Sequence, residues 1–428
     1  MRPSRHLVSA VLVCACATAQ PSLSVKQRVR AARDLAKQGS DAIPKLQAML
    51  GDAVQEVRAE AVKAIVELDT AASLNPLIQA TRDSDPEIQI RATDGLVNFY
   101  QPGYVKRGLS ASLARVGGAL KIKFTDRNDQ AIEPYVVVRP EVIAALGDLV
   151  RAAVSVESRA NSARAVGILR GRAAVPDLIV ALRSKDDQVL FESLVALQKI
   201  GDVTAGPRIA FLLRDLDEQV QVAAIETTGL LRNREALPQL RDVVSTTPSL
   251  KAKRAALTAI AMLPDAANRA LYESYLRDRD ESLRAAAAEG LGRLKNPADL
   301  PLLEKAFKDD VKRPTQLADA FALVMLGRTA VSEFSPLQFL INSLNSAVWR
   351  GIAEPYLVEL ARDAAVRKLL EQALKAATKD EKVGLARVLA ASGDKDSAPY
   401  LDGLTHDPDA DVARAALEAS RTLKARLP

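Results

Sequence analysis

Apolar residues recur along this chain at helical spacing, and the helical stripes themselves recur. Val175, Leu178 and Leu182 stand at i, i+3 and i+7, which puts them on one helix face. The same stripe returns 62 residues later as Leu237, Leu240 and Val244, halfway between as Gly206, Ile209 and Leu213, and again as Leu300, Leu303 and Phe307. Pro176, Pro207 and Pro238 lie 31 residues apart, and Pro301 follows after 63. Each opens its stripe, where a missing N–H and a fixed φ suit the first helical turn. The pattern predicts a helix after each proline, the second of a hairpin.

The first helix of the hairpin is equally periodic. In 278–294, Leu283, Ala287, Leu291 and Leu294 form one stripe with Ala286 and Gly290 beside it, and 215–231 repeats this with Val220 in place of Leu283. Small residues there let helices approach closely, and Asp215, Asp217, Asp278 and Asp280 are placed to cap helix starts. Further copies fall at 53–68, 85–99, 186–201 and 407–423. Roughly ten to twelve units are expected, with the weakest signal at 245–275 and 308–375. A period of this size means an all-α solenoid, a stack of hairpins in which each unit contacts its neighbours.

The pair Val57-Arg58, matched by Leu283-Arg284 and followed by Ala at helical spacing and a proline-initiated second helix, resembles HEAT-like repeats, the short phycobilisome-lyase variety above all. The resemblance covers about 25–100 and 142–425. It implies a right-handed superhelix whose second helices line a concave protein-binding face, and a scaffold or adaptor role without catalysis. Outward positions on those helices, Lys45, Gln79, Asp177, Arg208, Gln239, Arg241 and Glu304, vary in chemistry while the core repeats; Arg208 and Arg241 are the candidate partner contacts among them. Some HEAT-like proteins attach bilin chromophores to client cysteines, but no residue here can be matched to that role.

Composition agrees with a thin, extended core: 428 residues, 48% apolar yet only 4% aromatic, with the single Trp349. The first residues read as an export signal over 1–19, with Arg2 and Arg5, an apolar 7–19 and a small-residue site at Ala17-Thr18-Ala19. A periplasmic or secreted product is expected; an alternative is a lipid anchor on Cys16. Cleavage would remove both cysteines, Cys14 and Cys16, and lower the net charge from +6 to +4. Export with mixed charge argues against nucleic acid as partner. Without that segment one histidine remains, His406, at the turn before Asp407 and Asp409, so Cys/His metal sites and Cys–His nucleophiles are excluded by inventory. No phosphate-loop or nucleophile-elbow pattern occurs. The turns Arg82-Asp83, Arg214-Asp215, Arg277-Asp278 and Lys308-Asp309 repeat, which fits capping and turn-to-turn ion pairs rather than a singular acid–base pair. No catalytic, cofactor or metal residues are assigned.

The segment 101–141 breaks the period between an N-terminal array (20–100) and the main array (142–428). Its front is basic, with Lys106, Arg107, Arg115, Lys121 and Lys123 as candidate contacts. Leu109, Leu113, Val116 and Leu120 make a helical stripe, while Leu120, Ile122 and Phe124 alternate like a strand that Tyr135–Val138 could join. A hairpin and a helix with an irregular loop both remain open. A basic amphipathic element could rest on anionic lipid or dock an acidic protein; the alternative is that it packs on the neighbouring repeats. Asp126, Asn128 and Asp129 lack the rest of a calcium loop.

Overall fold

The computed structural model describes residues 23–105 and 130–427, and every regular element among them is helical. Two compact units divide at Pro76/Leu77. The first holds the helices Val25–Ala36, Ile43–Met49 and Gln55–Leu68, with Val57, Ala61, Ile65 and Leu46 fully enclosed. In the second, helices alternate between two layers. First-layer helices such as Asp187–Ile200, Glu218–Leu230, Leu250–Ala261 and Glu281–Leu294 pack on one another in chain order, and second-layer helices such as Val175–Ala181, Leu237–Thr246 and Leu300–Asp309 pack against them. This is an α-solenoid. The weak stretches of the sequence pattern are occupied too, by Arg269–Tyr275, Arg313–Met325, Pro336–Asn342, Arg350–Leu360 and Ala364–Ala373.

The register read from the sequence is the register of the core. Leu178, Leu182, Ile209, Leu213, Leu240, Val244 and Leu303 are buried, while Leu300 and Phe307 are half-buried. Pro176, Pro238 and Pro301 each sit in the first turn of a second-layer helix. Pro207 corrects the pattern. It lies inside a 3-10 segment, Val203–Arg208, followed by another, Ala210–Arg214, so this repeat has no second-layer α-helix. The residue before Pro207 is Gly206, where the other repeats carry Val175, Leu237 or Leu300, and glycine is a poorer helix former than valine or leucine. The carbonyl of Gly206 accepts from Asn233 Nδ2 of the next repeat at 2.9 Å.

First-layer helices touch backbone to backbone. A Cβ on Gly167, Gly229 or Gly292 would lie 2.7, 2.8 or 2.6 Å from the Cα of Ala196, Ala259 or Ala322 on the following helix. Gly290, beside the predicted stripe, instead faces the ring of the enclosed Tyr272.

The interruption lies within a hairpin rather than between repeats. Pro86–Tyr100 and Val156–Ile168 are adjacent first-layer helices, and Pro140–Ala152 is the second-layer helix between them in sequence. Pro140 and Glu141, read above as insertion, open that helix. The described ends of the interruption are tied down: Tyr104 and Ile132 are buried, Ile132 N–H donates to the Ile168 carbonyl at 2.9 Å, and the Tyr100 hydroxyl accepts from Arg139 N–H at 3.1 Å. Residues Tyr135–Val138 form a turn and extended coil, not a strand. The stripe from Leu109 to Leu120 and the strand-like 120–124 lie outside the described residues, as does the segment 1–19.

Candidate functional site

The recurring acids resolve first, because their geometry is the same in turn after turn. Asp280 caps its helix by accepting from the N–H groups of Ser282 and Leu283 at 3.1 Å each, and Asp278 accepts from Asp280 N–H at 2.8 Å. Asp215 and Asp217, Asp83 and Asp85, and Asp407 and Asp409 repeat this pairing. The arginine of the Val-Arg pair completes the unit. Arg284 donates to the Asp278 carbonyl at 3.0 Å and forks onto Asp310 of the next turn at 2.8 and 3.2 Å. Arg58 makes the equivalent carbonyl contact to Asp52 at 3.0 Å, and Lys382 reaches Asp407 at 2.7 Å. These charges hold neighbouring repeats in register, and each contributes modestly because most are partly solvated. His406 is exposed, its Nδ1 beside Thr405 Oγ1 and the Asp402 carbonyl.

Two ion-pair systems are buried. Arg164 and Glu192 pair between adjacent first-layer helices with side chains 7% and 1% exposed. Arg293 is held by Glu289 at 2.7 Å and Glu359 at 2.8 Å, while Glu289 also accepts from the Tyr356 hydroxyl at 2.7 Å. The Tyr356 ring stacks on Phe321, over which Arg293 also lies. Both systems are internally satisfied.

The sequence-predicted contacts fare differently. Lys106, Arg107, Arg115, Lys121 and Lys123 lie outside the described residues. Arg241 is half-buried and reaches the next repeat, with Nε on Asn268 at 2.6 Å and Nη2 on Asp265 at 2.9 Å, so its charge serves the scaffold. Asp177 pairs with Arg151 at 3.0 Å and Glu304 with Arg328 at 2.6 Å. Lys45, Gln79 and Gln239 are exposed, and so is Arg208, which has no acidic partner among the described residues.

Arg208 is also where exposed apolar side chains gather. A cleft of about 390 Å3 is lined by Ile179, Arg183, Pro207, Arg208 and Phe211. Phe211 is 61% exposed and Val180 53%, and Arg183 likewise lacks an acidic partner among the described residues. A second cleft of about 480 Å3 shares Arg183 and Phe211 with it and runs past Arg214, Asp187, Asp217 and Leu216, the last wholly exposed. Beyond Leu216 a third, of about 660 Å3, reaches Asp242 and Pro248. Among the described residues, this cluster occupies the one second-layer position where 3-10 turns replace the α-helix. Phe211 stands four residues after its proline, in the column that holds Val180, Asp242 and Lys305, so an aromatic in an otherwise mixed column was the available signal.

A family profile for HEAT repeats matches residues 16–97 and 246–323. The chain is a HEAT-like repeat protein. No curated protein matches the sequence of this HEAT-like array. Among solved structures, it resembles the complex of CpcE and CpcF of phycocyanin lyase from Nostoc sp. PCC7120, at 19% identity over 63% of this chain and 92% of the other, TM-score 0.39. It also resembles an engineered protein (18% identity, 94% and 97% covered, TM-score 0.36) and YibA of Escherichia coli (13%, 72% and 99%, TM-score 0.41). No helix among the described residues is long and apolar enough to cross a membrane, and no cluster of potential metal ligands occurs among them.

Proposed function

We propose that this HEAT-like array is a non-enzymatic scaffold of the cell envelope that docks a protein client on its second layer, at the Phe211–Leu216 cluster. One observation carries the reading: Phe211 and Leu216 are left in solvent along adjoining clefts that exposed Arg183 and Arg208 also line. Exposed apolar groups grouped on one surface and rimmed by charge mark interaction sites more often than scattered single residues do. The envelope location rests on the N-terminal pattern of Arg2, Arg5 and the apolar 7–19.

A photo-crosslinking residue in place of Phe211, with Leu417 as an exposed control, tests the docking face in the producing cell. The expected result is a protein adduct specific to position 211, whose purified partner binds the native chain at least tenfold more tightly than Phe211→Ala. Equal adducts at both positions, or none at 211, would remove the docking reading. An adduct that survives only in chain retained in the cytoplasm would remove the envelope assignment.

A further inference from the structure

Four successive first-layer helices meet at Arg293. It stands near the end of Glu281–Leu294, where Glu289 of the same helix accepts from its Nη1 at 2.7 Å. That Nη1 also points back to the Ala261 carbonyl of Leu250–Ala261, at 3.5 Å. The guanidinium lies over the Phe321 ring of Arg313–Met325, 4.9 Å from its centroid. Beyond that helix, Nε and Nη2 fork onto Glu359 of Arg350–Leu360 at 2.8 and 2.9 Å. Tyr356 of the same helix returns the contact: its hydroxyl donates to Glu289 at 2.7 Å, and its ring stacks on Phe321 at 4.7 Å.

A stack whose units touch only their neighbours has no such contact, because Glu281–Leu294 and Arg350–Leu360 are two repeats apart. In a flat layer two helix spacings come to roughly 16–20 Å, farther than an arginine and a glutamate on one face can bridge. The first layer is therefore the inner side of a bend here, the reverse of the second-helix lining that the resemblance implies. The joint beneath the clasp also differs from the one before it. Gly292, twelve residues after its cap Asp280, meets Ala322, ten after Lys312; at the next joint those slots hold Val324 and Glu359. The carboxylate that Arg293 grips thus stands where a small residue seats the preceding helix. Arg350–Leu360 is a weak helix in itself, 11 residues long with Pro355 inside, whose missing N–H cannot bond the Gly351 carbonyl.

We infer that this clasp fuses the first-layer helices from Glu281 to Leu360 into one cooperative block, a stiff segment within an array of singly coupled repeats. If Arg350–Leu360 lifts away, Arg293 and Glu289, only 8% and 11% exposed, lose partners that water cannot fully replace. Opening of the third helix therefore carries the first with it. The inference is independent of docking at Phe211.

The test is hydrogen exchange read by mass spectrometry on the full chain, with Leu357→Ala as the perturbation. Leu357 is enclosed within Arg350–Leu360 and makes none of the clasp's contacts. In the native background Leu357→Ala is expected to speed exchange at least tenfold in 281–294 as well as in 350–360, with 218–230 unchanged. In a Tyr356→Phe, Glu359→Gln background, which keeps the ring and the side-chain volume, the same change should speed 350–360 alone. Equal acceleration of 281–294 in both backgrounds would overturn the inference, since the coupling would then run through the packing of 313–325. No acceleration of 281–294 in the native background would overturn it too, leaving two local pairs. Should circular dichroism show that either change unfolds the chain, Val358→Ala and Tyr356→Phe alone are the milder pair and are read the same way.

Discussion

Asp319 sits where the fold wants alanine. It lies seven residues after its helix cap, the slot that holds Ala61, Ala92, Ala224, Ala256, Ala287 and Ala416 in other repeats, each fully enclosed. Asp319 is equally enclosed, and neither carboxylate oxygen has a hydrogen-bond partner. Burial, and secondarily the Asp310 carboxylate, push its carboxyl up to about 8, with Arg284 opposing. An acid raised in the folded state is protonated there while ionised in the unfolded chain, so stability falls as pH climbs from about 4 to about 8. At 1.36 kcal/mol per unit, the penalty at pH 7 approaches about 4 kcal/mol. Asp319→Ala removes it and leaves a small void costing about 1 kcal/mol. The variant should therefore be more stable by roughly 3 kcal/mol at pH 7, equal to the native chain near pH 4.5, and slightly less stable below. Hydrogen exchange across 313–325 reads this best, because opening in a repeat array is local. Asp319→Asn should keep the unpaired polar group yet lose the pH dependence. A less stable alanine variant at pH 7, or a gap that does not close on acidification, would refute the reasoning.

Gly292→Ala is expected to destabilise by roughly 1–3 kcal/mol in urea melts, although alanine is the better helix former, because its Cβ would meet Ala322 Cα at 2.6 Å; a neutral or stabilising result would mean the two helices separate freely. Glu289→Ala should lower stability by roughly 2–4 kcal/mol by unpairing the Tyr356 hydroxyl and half of Arg293, with Glu289→Gln recovering part of it, as read by thermal unfolding.

The sequence carried the period, the core stripes and the caps, since these are repeated: each unit buries the same face and ends its turns on the same carboxylate. What it hid was whatever differs between units. Pro207 kept the cadence, but Gly206 before it removed the helix that the cadence implied. Spacing placed Arg241 on an outward face without showing that its length reaches Asp265 and Asn268, residues of the next repeat that follow no period of their own. Asp319 was legible in principle as an acid in an alanine column, but only once the column had been aligned through the weak stretch 308–375. The basic candidates from Lys106 to Lys123 remain a reading of sequence alone.

The size of the exposed cluster also bounds how tightly the proposed docking face would hold a client. Phe211 and Leu216 leave on the order of 100–150 Å2 of apolar surface each in water, worth about 3 kcal/mol apiece if fully covered. Charge pairs at Arg183 and Arg208 would add about 0.2–1 kcal/mol each, since both are exposed and salt-screened. Association itself costs at least about 4 kcal/mol. The surplus corresponds to a Kd near the millimolar range for a minimal peptide, with micromolar binding reached only if the third cleft, beside Asp242 and Pro248, is occupied as well. A repeat array lends itself to that solution, because adjoining units present successive clefts and a longer segment can engage several at once. Peptides extended toward Pro248 should therefore gain affinity steeply, whereas peptides lengthened at the other end should not.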